Sequence, residues 1–173
     1  MTNYDNVIFG ATQLVIALGI AILAIYVTFV FFRKFFLRKY SLDLDNVAFA
    51  ILLACVLISV SSIVAEVIPS VDHALRYLKQ SHTGSSYIWY CLLYSVMFTG
   101  IGFMISLIVN VLGLLLFVKL TKEVDEFKEI SENNIAIGII TGAFIVSMSF
   151  FVQEPVHHIL ESLIPYPELP DVR

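Results

Sequence analysis

The stretch DNVAFAILLACVLISVSSIVAE occupies residues 45–66, and NNIAIGIITGAFIVSMSFFVQE occupies residues 133–154. Aligned without gaps, they share seven of 22 residues: Asn46/Asn134, Ala48/Ala136, Ile51/Ile139, Ser59/Ser147, Ser61/Ser149, Val64/Val152 and Glu66/Glu154. Apolar identities count for little in sequences drawn from so few residue types, so the matched Asn, Ser and Glu positions carry the comparison. Asn is a strong helix N-cap, and in both stretches a Glu follows it 20 residues later. At a helical rise of ~1.5 Å per residue that separation is ~30 Å, the thickness of a bilayer's hydrocarbon core. The repeated stretch therefore reads as one membrane crossing, written twice.

The rest of the composition agrees. Of 173 residues, 59% are hydrophobic and 14% charged, with a mean hydropathy of +0.90; a soluble domain carries about 25% charge. Nothing charged lies between Asp5 and Arg33 or between Lys79 and Lys119. Four spans are expected, over residues 7–32, 47–65, 90–118 and 135–152. The first has no basic leader and too long an apolar run for a cleavable signal peptide. The third is expected to be a single crossing with an interfacial lead-in, where Tyr87, Trp89, Tyr90 and Tyr94 form an aromatic belt.

The expected fold class is an all-α membrane protein of four transmembrane helices, arranged as two parallel two-helix repeats. The whole of residues 1–173 is one integral membrane domain. Repeat one covers about 7–68 and repeat two about 90–156, with an outer tail over 157–173. Because each unit has two spans, both insert in the same sense, and the relating axis runs along the membrane normal. The second and fourth spans are expected to pack on each other. Asn46, Ala50 and Ala54 recur every four residues, as do Asn134, Gly138 and Gly142, a spacing that lets membrane helices approach closely at a repeat–repeat or dimer seam.

Positive charge sets the expected orientation. Arg33, Lys34, Arg38, Lys39, Lys119, Lys122 and Lys128 fall in the first and third loops, seven of the ten Lys and Arg. Those loops should face the cytoplasm and both termini the outside. The segment SVDHALRYLKQ between spans two and three is amphipathic, with Ser70 as its N-cap and Val71, Ala74, Leu75 and Leu78 on one face. Pro69 and Pro155 should end the second and fourth helices.

Candidate chemistry is sparse. Glu66 and Glu154 stand at helix C-termini, against the macrodipole, and are candidates for a polar or cation site with Ser59, Ser147 and Asn110. Ser61, Ser149 and the Gly102, Ser106, Asn110 spacing of the third span extend that polar set; interhelical hydrogen bonding is the alternative use. EPVHHILE offers a weak metal set, in which Glu154, His158 and Glu161 share a helical face and Glu154 to His157 is an E-x-x-H spacing. Cys55 and Cys91 form no metal or redox spacing. No catalytic motif, cofactor-binding fingerprint or basic nucleic-acid footprint is present, so a non-enzymatic chain without cofactor is expected.

DNVAFA and NNIAIG resemble the repeated N-x-A-x-A/G entry motif of the bacterial family called domain of unknown function 350. The matching positions are Asn46, Ala48, Ala50, Asn134, Ala136 and Gly138, and the resemblance extends over residues 10–154. It implies a small inner-membrane protein of two two-helix units, resident in the bacterial cell membrane, with no settled activity. The expected partners are the lipid bilayer, further copies of the chain as a homo-oligomer, and proteins at the loops. The function expected is an oligomeric membrane scaffold or accessory subunit, the alternative being a small channel or transporter with its path at a repeat or oligomer interface.

Overall fold

The computed structural model describes residues 3–40, 45–81, 85–121 and 125–164. Among these residues all regular structure is helical: α1 (Asn3–Tyr40), α2 (Val47–Ala65), α3 (Val67–Ser81), α4 (Ser85–Leu120), α5 (Glu126–Ser131) and α6 (Ile135–Ser162). Four helical stretches are long and apolar enough to cross a membrane, namely Ala17–Lys34, Val47–Leu78, Leu92–Leu120 and Ile135–Ser162. The uncharged third stretch is one unbroken helix, as expected, and α2 starts and stops where its sequence predicted.

α2 and α6 are the centre of the molecule and make its most extensive contact. They run parallel. Gly138 lies against Ala48, Gly142 against Cys55, and Ser62 Oγ donates to Ser149 Oγ at 3.2 Å. α4 runs antiparallel to α6, with Phe117 beside Phe144 and Gly113 beside Ile145 and Met148. It also packs against α2 and α3. α1 packs mainly on α2 and stands off from α4 across an apolar groove of 410 Å³ lined by Leu23, Val27, Val96 and Phe103.

Two apolar clusters divide the interior. At the asparagine end, Phe49, Leu52 and Val56 of α2 meet Ala24 and Phe32 of α1, Ile130 of α5 and Ile145 of α6. At the glutamate end, Val71, Ala74 and Leu75 of α3 meet Phe98 of α4 and Val156 and Leu160 of α6. The amphipathic face expected of residues 70–80 is thus buried as the sequence arranged it, with Val71, Ala74, Leu75 and Leu78 all enclosed.

Three local expectations are corrected. α6 does not end at Pro155; it continues through the proline to Ser162, so residues 157–162 are helix and not tail. An interior proline costs about 3 kcal/mol in an isolated helix, but Val156 and Leu160 are seated against α3, and that burial holds the last turns in place. Residues 165–173 lie outside the described residues. α2 does end near its proline, but the break is at Glu66, which caps α2 through its amide to Ile63 O at 3.2 Å. Pro69 falls in the first turn of α3, where a missing N–H removes no helical bond. Ser70 is correspondingly not an N-cap: it lies inside α3, buried, with Oγ unpartnered.

Candidate functional site: the asparagine junction and the seam between α2 and α6

Three asparagines build the junction. Asn46 caps α2, its Oδ1 accepting the Phe49 amide at 2.8 Å. Its Nδ2 donates to Ile130 O at 2.7 Å and to Ser131 O at 3.2 Å, so the same side chain also caps the carbonyl end of α5. Asn134 caps α6 through the Ile137 amide at 3.5 Å and donates to Glu129 Oε2 at 2.6 Å. Between them Asn133 sits at φ 65°, the left-handed conformation that closes a helix C-terminus. Its amide bonds Ile130 O and the next amide bonds Glu129 O, the paired bonds of a Schellman turn. Its side chain then reaches across the molecule, Oδ1 accepting the Ala48 amide at 3.0 Å.

α2 therefore receives caps from both halves of the chain. The four amides that open a helix have no intrahelical acceptor, and at a membrane boundary each unsatisfied one is costly. Asn46 satisfies Phe49 and Asn133 satisfies Ala48. The sequence signalled Asn46 and Asn134. It did not signal Asn133 or α5, which occupies the acidic third loop with Asp125 as its cap. A left-handed Asn before an N-cap Asn is the cue that the NN pair carried. Glu126 was also missed: it is 2% exposed on α5, with neither carboxylate oxygen hydrogen-bonded.

Above the junction the helices touch through small residues on α6. A Cβ added to Gly138 would stand 2.7 Å from Ala48 O, and one on Gly142 2.6 Å from Cys55 Sγ. The expected stripe is present on α6 but displaced on α2. There Ala48, Ile51 and Cys55 meet α6, whereas Ala50 and Ala54 are exposed. The reason lies in the geometry of the pair. Matched residues would meet only if both helices presented the same face, and these two present different faces.

The polar candidates separate into three groups. Ser106 and Asn110 donate to carbonyls one turn back on α4, and Ser147 does the same on α6. Ser59 Oγ, Asn110 Oδ1 and Thr141 Oγ1 are enclosed without a hydrogen-bond partner. Glu66 is half-buried at the end of α2, while Glu154 is 82% exposed beside His158 at 3.5 Å on its own helix.

The expected grouping of Glu154, His158 and Glu161 is corrected by the same region. Glu161 turns instead to His73 Nδ1 of α3 at 3.0 Å and His157 Nε2 at 3.5 Å, leaving Glu154 with His158. The interleaved i,i+4 pairs lie on neighbouring faces, and α3 packs against only one of them. Among the described residues, no three His, Cys, Asp or Glu side chains are placed to hold a metal ion.

The α4-to-α6 half that carries the seam's glycines is also the half that matches a known family. Residues 91–164 match the model of the Domain of Unknown Function DUF350. Over this segment, somewhat under half of the chain, the sequence is similar to the DUF350 family. The DUF350 match takes in α5, the Asn133–Asn134 turn and α6, and does not reach the first half of the 10–154 resemblance. No curated protein and no solved structure matches the chain.

Proposed function

We propose that this DUF350-like protein is a multi-pass membrane scaffold or accessory subunit, built of two equivalent two-helix units and assembled from several copies. The observation that carries the reading is the use made of polar groups inside the spans. Thr28, Thr99, Ser106, Asn110 and Ser147 each donate to a carbonyl of their own helix, three or four residues back. Polar side chains satisfied in this way are tied to their own backbone and need no water within the span. The seam between α2 and α6, where Gly138 lies against the Ala48 backbone and Gly142 against the Cys55 side chain, supports a rigid frame.

In this reading α5 and the neighbouring basic residues face the cytoplasm of a bacterial cell, both termini lie outside the inner membrane, and partner proteins bind at the loops. The weight of Lys and Arg on the α5 side supports that orientation. A second reading, a channel or transporter formed among copies, draws on the three unpartnered atoms Ser59 Oγ, Asn110 Oδ1 and Thr141 Oγ1, one on each of the packed helices.

Ion flux through liposomes holding the purified protein separates the two. The scaffold reading expects no flux above empty liposomes. Flux that disappears in the Glu66→Gln, Glu154→Gln double variant would overturn it and assign the path a mouth.

A further inference from the structure

The faces of α2 and α6 that meet are not equivalent. α2 uses Ala48, Ile51 and Cys55, while α6 uses Gly138, Gly142 and Ser149. Shifted by the 88-residue offset of the repeat, the α6 set corresponds to Ala50, Ala54 and Ser61 on α2. All three are exposed, in one stripe with Val47, Ile58 and Ala65. The α2 set corresponds to Ala136, Ile139 and Ala143 on α6, and these are exposed too. Each helix thus buries the face that its counterpart leaves open. Had the units met through a two-fold axis, Ala50 would touch Ala136 as Ala48 touches Gly138, and both pairs would be enclosed. The contact is heterologous, and a heterologous contact leaves one half-interface free at each end, which further copies can fill.

We infer that a second copy of this chain fills them, with α6 of one copy laid parallel against α2 of the next and the internal seam repeated between molecules. Ala136 then meets Ala50 of the next copy, Ala143 meets Ala54, and Phe150 meets Ser61. This rests on the equivalence of the two units adopted above.

Two observations commit the open faces to a copy and not to lipid. A polar identity between the units falls on them: the exposed Ser147 repeats the buried Ser59, with Ala136 and Ile139 beside it repeating Ala48 and the half-buried Ile51. The open face of α2 also carries Ala50, Ala54, Ser61 and Ala65 together with Val47 and Ile58, and small side chains of this kind let membrane helices approach closely. The position of α1 agrees. α4 packs on both α6 and α2, but α1 packs on α2 and makes no comparable contact with α6. In the assembly, α1 of the next copy takes that place.

Disulfide trapping in native membranes tests the contact, with Cys55→Ser and Cys91→Ser as background. Differently tagged Ala54→Cys and Ala143→Cys chains, co-expressed, should cross-link to each other, and the double variant in one chain should give a ladder. Each single variant alone should give little dimer. Strong dimer from Ala54→Cys alone would mean a two-fold contact and overturn the inference. Native mass spectrometry of the uncross-linked protein distinguishes the remaining failures. An oligomer with no cross-link would overturn this interface and leave the assembly standing; a single-chain mass would overturn both. Ala54→Phe provides an independent check, since its site is open in one copy: the fold should persist while the oligomer dissociates.

Discussion

Asn133 accepts the amide of Ala48 across 85 residues of sequence, at 3.0 Å, while its own backbone is held at φ 65°. One residue closes α5, opens onto α6 and caps α2. Replacing it separates the contributions. Asn133→Gly keeps the left-handed turn and loses the side-chain bond, so a loss of about 1 kcal/mol is expected. Asn133→Ala loses the bond and also strains the turn, by roughly 1–2 kcal/mol more. Denaturation of the purified protein in mixed micelles should rank wild type above Gly above Ala; equal stability of all three would remove the cap from the account.

Gly142 and Gly138 differ in what a methyl group would meet. At Gly142 it is the side chain of Cys55, at 2.6 Å from sulfur. Gly142→Ala should therefore destabilise by about 1–3 kcal/mol, and Cys55→Ala should recover part of the loss in a double-mutant cycle. At Gly138 the obstacle is the Ala48 carbonyl, and no side-chain change on α2 clears it. Rescue of Gly138→Ala by Cys55→Ala would contradict this assignment.

Pro155 lies inside a continuous helix whose next turn is clamped by Val156 and Leu160. Substitution by Ala restores a backbone donor and removes the ring's clash with the preceding turn. The midpoint of thermal unfolding should rise, with helicity unchanged or slightly higher. A fall would show that α6 depends on a proline-set bend.

Glu126 is enclosed with both oxygens unpartnered, a costly state for an ionised carboxylate. Glu126→Gln should leave stability unchanged or raise it, and Glu126→Leu should raise it by about 1 kcal/mol or more. Urea titration of both variants beside wild type checks this; a loss in both would assign the carboxylate a partner.

The membrane crossings were legible because their signal is long and simple. Val47–Ala65 follows from an Asn cap, an apolar run and a polar stop, each readable locally. Asn46 and Asn134 were legible for the same reason. What was hidden depends on distance or on context. Pro155 was read as a stop because local propensity forbids it, whereas the deciding term is burial of Val156 and Leu160 against α3, a segment about 80 residues away. The stripe at Ala50 and Ala54 is legible as a close-packing face, but spacing does not say which neighbour covers it, and within one copy both residues are exposed. Glu161 was grouped with Glu154 by period alone, and its capture by His73 required knowing that α3 lies alongside.

The cap that Asn133 supplies to α2 also fixes an order of events during synthesis. Ala48 leaves the ribosome 85 residues before Asn133 does. If the two halves insert in turn, as the proposed two-unit arrangement implies, the first enters the bilayer with that amide not yet capped by Asn133. Its boundary is sealed only when the second half arrives and docks. A chain halted between the two halves would expose an unfinished helix end to quality-control machinery, whereas the completed chain presents none at that position.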